Sequence, residues 1–156
     1  SGSVPLSAVI ASRKIMDLPG VGSMSSTHSA NPVSCAAGLA NLKAITEGGI
    51  IKESARKGRI LHERLEKLQQ KYPDRIARVL GKGLLAALLI KRKGKAEPDT
   101  AFASRICETA MRKGLLLVHT GRESIKIGPP LTITDEALRE GLDVLKECFD
   151  ILIGKK

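Results

Sequence analysis

The sequence predicts an α+β fold, in which helices cover one face of a small and largely antiparallel sheet. Three observations predict it. From about residue 49 onward the pattern reads helix, two strands, helix, two strands, helix. Breakers separate these elements, including Tyr72-Pro73-Asp74 and Gly114. The last helix has the clearest apolar stripe, which consists of Leu138, Leu142, Leu145, Phe149 and Leu152.

The first 48 residues predict less regular structure. Residues 4–11 are short and apolar after Pro5, which predicts the end of a buried strand. Ser12 to Asp17 predict one helical turn, and a breaker cluster follows it. A helix is then predicted from Asn31, a good N-cap, to Glu47, where glycines end it. Its predicted contact face is made of small side chains that allow close approach: Val33, Ala36, Ala37, Ala40 and Ala44.

The remaining elements follow from apolar periodicity and turn residues. A helix over about 50–71 carries charges between its apolar positions. Two strands, Arg75–Leu80 and Leu84–Ile90, surround a glycine turn, and a polar loop leads to a helix over about 98–113. A second strand pair, Leu115–His119 and Ser124–Ile127, surrounds Thr120-Gly121-Arg122. The last helix begins after Thr134, a good N-cap, with acidic residues in its first turn.

The chain is basic, with 26 lysines and arginines against 16 acidic residues. This charge leaves open a self-standing basic module that binds nucleic acid or a protein partner. The cations are spread over helices beside acidic residues, however, and the dense run is confined to residues 91–95. With one tyrosine and two phenylalanines, the chain lacks the stacking surface of single-strand binders. Solvated helix faces explain the charge better than nucleic-acid binding.

The sequence argues against a metal cluster, a disulfide framework and a membrane span. Cys35, Cys107 and Cys148 are far apart and odd in number, which predicts reduced, mostly buried thiols in a cytoplasmic protein. The three histidines have no spacing typical of a metal site, and we expect His62 to be exposed. No apolar run approaches the roughly 18 residues needed to span a bilayer.

A hydroxyl-rich loop leads directly into the predicted helix at Asn31. Three serines and Thr27 lie within residues 25–29, immediately before the helix start. The positive end of a helix dipole attracts anions, and hydroxyl groups donate hydrogen bonds to them. The segment therefore suits a phosphate or another anion, although a capped loop without a ligand fits the same residues.

Five segments, in order, give the chain a resemblance to a known family. The loop and helix start resemble the T-x-S-G-N-P-x-x-x-A-A signature of the class III pyridoxal-phosphate aminotransferases. This family includes the acetylornithine, ornithine and 4-aminobutyrate aminotransferases. The other segments resemble its G-x-P-L-S-A-V, R-G-x-G-L, A-x-x-x-G-L-L and R-x-x-P-P-L-x-I patterns. They are Val4–Val9, Gly81–Leu85, Lys113–Leu116 and Ile125–Ile133.

The resemblance implies pyridoxal phosphate as cofactor and assigns roles to three residues. Thr27 matches the family's threonine that hydrogen-bonds the cofactor phosphate of the neighbouring subunit, and Ser26 is a weaker neighbour. The implied assembly is a homodimer with a composite active site. Lys126 stands where the family's arginine grips the substrate carboxylate, and Leu80 replaces the arginine of R-G-x-G-L. Lysine offers a point charge instead of a bidentate fork, so substrate geometry becomes uncertain.

The resemblance also implies that the chain is the C-terminal portion of such an enzyme. The family's Schiff-base lysine is expected about three residues upstream of Ser1, so this chain is predicted to contain no catalytic residue and to be inactive alone. Residues 1–48 match the end of the cofactor-binding α/β large domain and the interdomain helix. Residues 49–156 match the C-terminal small domain of a fold-type I enzyme.

The implied activity is transfer of an amino group from an amino acid or ω-amino acid to a 2-oxo acid. Racemases, epimerases and aminomutases share the scaffold, and the lysine at position 126 leaves them open as alternatives. We expect no metal, no membrane and no nucleic acid as partners.

Overall fold

The computed structural model describes residues 4–119 and 121–154, so the first three residues, Thr120 of the predicted turn and the last two residues lie outside it. The chain divides into two compact units, Ser1–Ile50 and Ile51–Lys156. Each is described by itself below.

The first unit contains two helices, α1 (Arg13–Met16) and α2 (Pro32–Glu47). Both were predicted. The predicted strand over residues 4–11 is wrong, because this segment forms no strand pairing and is almost wholly exposed. The described part of the first unit contains no strand, so residues 4–11 have no ladder partner within that unit.

The predicted contact face of α2 is also wrong. Val33, Ala36, Ala40 and Ala44 are exposed, whereas Gly38 is buried and Ala37 and Ile45 are half-buried. Leu6 lies against this glycine, because a Cβ on Gly38 would be 2.5 Å from the Leu6 Cδ2 atom. The residue that allows close approach is therefore the glycine, and the alanines face outward.

The second unit has the predicted α+β architecture. Its four strands form one antiparallel sheet in the order β1-β2-β4-β3. The predicted strand at Leu115–His119 is shorter than expected, since Leu115–Leu117 lie outside the ladder. The elements are α3 (Ile50–Lys71), β1 (Ile76–Lys82), β2 (Leu85–Ile90), α4 (Thr100–Arg112), β3 (Val118–His119), β4 (Ser124–Ile127) and α5 (Asp135–Gly154).

The core of this unit lies between one sheet face and the three helices. Alternate residues of the two central strands are buried, as the two-residue period of a strand requires. Phe149 is central, with ring centroids 5.6 Å from Tyr72 and 6.1 Å from Phe102. The predicted stripe of α5 is confirmed. Its buried members are Leu138, Leu142, Leu145 and Phe149.

One close approach fixes α3 against the first hairpin. Gly58 is buried in α3, and a Cβ there would lie 2.5 Å from the Cα atom of Gly83. Gly83 itself has a φ of 57°, in the left-handed region that favours glycine. Two glycines are thus needed at this contact, one for space and one for backbone conformation.

The starts of α2 and α5 follow the predicted capping chemistry. Asn31 Oδ1 accepts hydrogen bonds from the amides of Val33 and Ser34, and Thr134 Oγ1 accepts from the amide of Ala137. Asp99 caps α4 by accepting from the amide of Phe102 at 3.0 Å. The caps at Asn31 and Thr134 mark where the loops before α2 and α5 end.

Candidate functional site

The loop before α2 presents Ser26 and Thr27 to solvent. The two residues are exposed, and the amide of Ser29 donates to the carbonyl of Ser26 at 3.0 Å, which closes a turn around Thr27. No hydrogen bond joins the Thr27 hydroxyl to any residue in the described part of the chain. This hydroxyl is therefore available to an anion.

The start of α2 is a poorer anion site than the sequence indicates. The amides of Val33 and Ser34 are 3.0 and 3.2 Å from Asn31 Oδ1. The amide of Cys35 donates to the carbonyl of Asn31 at 2.9 Å, and Pro32 has no N–H. The first-turn amides are thus already used, so an anion here depends on the Thr27 hydroxyl and the helix dipole.

Ala30 has a φ of 51°, which places a non-glycine residue in the left-handed region. In the T-x-S-G-N-P pattern this position is glycine. The Cβ of an L-residue is crowded in this conformation, at a cost of about 1 kcal/mol. The loop that presents Thr27 is therefore held in shape against a local backbone cost.

Lys126 lies on the exposed face of the sheet in the second unit. Its strand neighbours Ile125 and Ile127 point into the core, whereas Lys126 is exposed. In the ladder it pairs with Ala87 of β2 on one side and with Val118 of β3 on the other. Lys126 is thus a cation flanked by two apolar residues in a cross-strand row.

Next to Lys126 an apolar groove opens between the end of β4 and α5. Its volume is about 510 Å³, which is within the range of small-molecule sites. Of the described residues that line it, Lys126 is the one that carries a charge. The groove is defined here by Leu116, Val118, Pro130, Ile133, Ala137 and Gly141, with Lys126 at its rim.

Two cations of α3 hold the wall of this groove. Lys57 is buried and donates to the carbonyl of Ile133 at 2.5 Å. Arg56 donates to both oxygens of Asp135, at 2.7 and 2.6 Å, and also pairs with Glu53. These hydrogen bonds from Arg56 hold the pKa of the Asp135 carboxyl below its usual value. The first turn of α5 is consequently fixed against α3.

The three thiols differ in exposure. Cys107 and Cys148 are buried, as predicted, and burial raises the pKa of each thiol. Cys35 is exposed, so the expectation of buried thiols is wrong at this position. All three are free cysteines. Raised thiol pKa values make Cys107 and Cys148 poor nucleophiles.

The histidines give no metal centre within the described residues. The Nε2 atom of His62 is buried without a hydrogen-bond partner in that part of the chain, so the prediction of an exposed His62 is wrong for this atom. His119 Nδ1 accepts from the amide of Gly121, and its Nε2 lies 3.3 Å from the Ser104 hydroxyl. When Nδ1 of the imidazole accepts a hydrogen bond, Nε2 carries the proton, so Nε2 cannot take a proton from the Ser104 hydroxyl.

The basic run over residues 91–95 lies in a polar loop, where Arg92 pairs with Glu97 at 3.5 Å. Elsewhere in the second unit, cations outside α5 pair with carboxylates of that helix, and Lys146 pairs with Asp150 within it. No helix that the structure describes is both long and apolar enough to cross a bilayer.

The structure places the predicted site residues in two regions. Ser26 and Thr27 lie together in the first unit, and Lys126 lies in the second. Sequence reasoning found these three residues but missed the groove. The sequence feature that could have indicated the groove is the Gly128-Pro129-Pro130 run. It follows directly after the end of β4 and lines the groove together with Leu116.

Comparisons with known proteins agree with the resemblance. The family described as "Aminotransferase class-III" matches residues 1–149. The 4-aminobutyrate aminotransferase of Mycobacterium tuberculosis is 38% identical over 144 residues, which cover 91% of this chain and 32% of the relative. The mitochondrial ornithine aminotransferase of Oryza sativa subsp. japonica is 35% identical over 150 residues, which cover 96% of this chain and 31% of the relative.

A solved structure shows the same fold. The acetylornithine aminotransferase of Elizabethkingia anophelis has a TM-score of 0.77 at 32% identity, covering 89% of this chain and 33% of that one. The chain therefore spans about a third of the length of the relatives it matches.

Proposed function

The chain belongs to the class III aminotransferase family, and we propose that the protein containing it is a pyridoxal-phosphate-dependent transaminase. The proposed reaction moves an amino group from an amino acid or ω-amino acid to a 2-oxo acid. The observation that supports this most strongly is the family match over residues 1–149. The Thr27 hydroxyl, which is exposed and has no hydrogen-bond partner in the described part of the chain, also supports it.

Thr27 is proposed to donate a hydrogen bond to a phosphate oxygen of the cofactor, with Ser26 beside it. Two features of the loop fit this role. The hydroxyl is exposed and the turn around it is closed by the Ser29 amide. The adjacent α2 points its positive end toward the same loop, which favours a bound dianion.

Lys126 is proposed to bind the substrate carboxylate. Its charge is exposed and its strand is held on both sides by the ladder, so the backbone that carries it is fixed. A single ammonium holds a carboxylate through charge and one or two hydrogen bonds, whereas arginine would set its plane. Lys126 thus orients the substrate less strictly than an arginine.

Pyridoxal phosphate, when bound, supplies the electron sink for removal of a proton beside the amino group. The lysine that moves this proton is proposed to lie upstream of Ser1, in the remainder of the protein. Residues 1–48 are then the end of the large domain and the interdomain helix, and residues 49–156 form the small domain.

The proposed assembly is a homodimer, in which Thr27 reaches the cofactor of the neighbouring subunit. A cytoplasmic location belongs to the same proposal and is supported by the free cysteines. Because lysine replaces arginine at position 126, an amino-acid racemase, epimerase or aminomutase on this scaffold is the second candidate.

One assay separates these functions. The full-length protein is incubated with pyridoxal phosphate and single amino acids, with and without a 2-oxo acid, and the products are separated by chiral chromatography. A transaminase forms a new amino acid only when the 2-oxo acid is present. Without a 2-oxo acid, inversion of the amino acid would instead establish a racemase or epimerase, and movement of its amino group to another carbon would establish an aminomutase. No cofactor-dependent product of any kind would overturn the proposal.

A further inference from the structure

The groove beside Lys126 combines one charge with an apolar surface. Lys126 is the charged residue among those described that line it, and the remaining walls are aliphatic or proline. Leu116 and Val118 are strongly exposed, at 78% and 54%. Such a surface matches a ligand with one carboxylate and an uncharged hydrocarbon chain.

We propose that this groove holds the side chain of the substrate whose carboxylate binds Lys126, so that the enzyme selects 2-amino acids with aliphatic side chains. The inference rests on the proposed function and adds the substrate class. It follows from position, since Val118 pairs directly with Lys126 and belongs to the groove. A chain that leaves the bound carboxylate therefore meets apolar surface at once.

A second carboxylate on the substrate would be disfavoured. A charge placed against Leu116, Val118 and Pro130 loses water and finds no counter-ion among the described groove residues. Leu80, two strands away in the same row, is also uncharged. Each methylene group that enters the groove is expected to raise kcat/KM about fourfold.

The groove wall is held in place by hydrogen bonds, so it can discriminate between substrate side chains. Lys57 and Arg56 fix Ile133 and Asp135, so the first turn of α5 does not open freely. Ala137 is exposed on the next part of α5 and lines the groove. A large side chain at this position is expected to fill the groove.

The test measures kcat/KM of the full-length enzyme for alanine, 2-aminobutyrate, norvaline, norleucine and glutamate, with one fixed 2-oxo acid. We expect norleucine to exceed alanine by roughly 60-fold, as three methylene groups at about fourfold each require. Ala137→Phe should reduce this ratio to near one. Glu140→Phe is the control, since Glu140 is exposed on the same helix but outside the groove. In this variant the ratio of kcat/KM for norleucine to that for alanine should stay at the wild-type value.

The outcomes separate the two claims. One contrary result is transamination with the same kcat/KM for every aliphatic substrate, and another is a higher kcat/KM for glutamate than for norvaline. Either result overturns the inference, because the groove then does not hold the substrate side chain, while the proposed function stands. If no amino acid is transaminated, both fail. Should Ala137→Phe not fold, the wild-type series alone decides.

Discussion

Leu80 and Lys126 lie in the same cross-strand row, on the same face of the sheet, with Ala87 of the intervening strand between them. Two strand spacings separate them by roughly 10 Å. These are the two positions at which the chain departs from the arginines of the family patterns. Both departures therefore fall on one surface. Leu80 removes a positive charge from it, whereas Lys126 keeps the charge and lacks the bidentate guanidinium.

The first prediction concerns Lys126. Lys126→Met removes the charge but keeps the length of the side chain, and we expect kcat/KM for a carboxylate substrate to fall about ten- to hundredfold. This range corresponds to the loss of one hydrogen bond to a charged group. Lys126→Arg should retain or raise kcat/KM, because the guanidinium binds carboxylates in a bidentate manner.

Lys82→Met is the control for that experiment, since Lys82 is an exposed cation at the end of β1 and does not line the groove. Equal losses for Lys82→Met and Lys126→Met would show a general effect of surface charge. That result would remove Lys126 as a carboxylate ligand.

The second prediction concerns the backbone of the loop that presents Thr27. Ala30→Gly should raise the free energy of unfolding by about 1 kcal/mol, because glycine adopts a φ of 51° without a Cβ clash. Ala36→Gly, in the interior of α2, should lower it by a similar amount. Urea unfolding of the full-length protein measures both. Destabilisation by Ala30→Gly would show that the left-handed conformation is not costly here.

The third prediction tests the contact between α3 and the first hairpin. Gly58→Ala places a Cβ 2.5 Å from the Cα atom of Gly83, which is backbone and does not rotate away. We expect a loss of about 1–3 kcal/mol in the free energy of unfolding. In Gly141→Ala the new Cβ meets a methyl group of Leu115 at 3.3 Å, so this control should be neutral or stabilising. Equal stability of the two variants would refute the close approach.

The fourth prediction concerns pH. Asp150 accepts hydrogen bonds from Lys71 at 2.5 Å, from the Tyr72 hydroxyl and from Lys146 at 2.9 Å, and these donors lower the pKa of its carboxyl. A carboxyl with a lowered pKa in the folded state stabilises the fold above its unfolded pKa of about 4. That stabilisation is lost as the pH falls below this value.

Asp150→Asn should therefore be less stable than the wild type at pH 7, and the difference should shrink as the pH falls below about 4. Asp143→Asn is the control, because its carboxylate is exposed and pairs with Arg64 alone among the described contacts. Thermal unfolding across pH 3–7 gives both profiles. A difference that stays constant over this range would exclude titration of Asp150 as its cause.

Much of the second unit was predictable from sequence, because its elements bury periodic apolar faces. The apolar stripe of α5 and the alternation of apolar and polar residues around Ile125 identify the core residues. N-caps such as Thr134 mark where helices begin. The length of β3 was not predictable. Leu115–Leu117 are apolar enough for a strand, but Gly128 and the two prolines after it remove the partner edge.

In the first unit the sequence was a weaker guide. Residues 4–11 look like a strand, yet a strand requires partners that local sequence does not specify. For α2, the small alanine side chains favoured their own face as the contact, whereas the structure places Leu6 against Gly38. Thr27 and Lys126 were identified through the resemblance, whereas the groove depends on long-range packing of α5.

The most direct test of the account asks whether Thr27 acts on the cofactor across a dimer interface. Two inactive forms of the full-length enzyme are prepared, Thr27→Ala at limiting pyridoxal phosphate and a variant without the cofactor lysine. The subunits are then mixed and exchanged, and cofactor-dependent amino transfer is measured. We predict recovered activity, because each hybrid dimer has one site with both residues intact. Hybrids that form but remain inactive, or a Thr27→Ala enzyme that holds the cofactor as tightly as the wild type, would contradict the account.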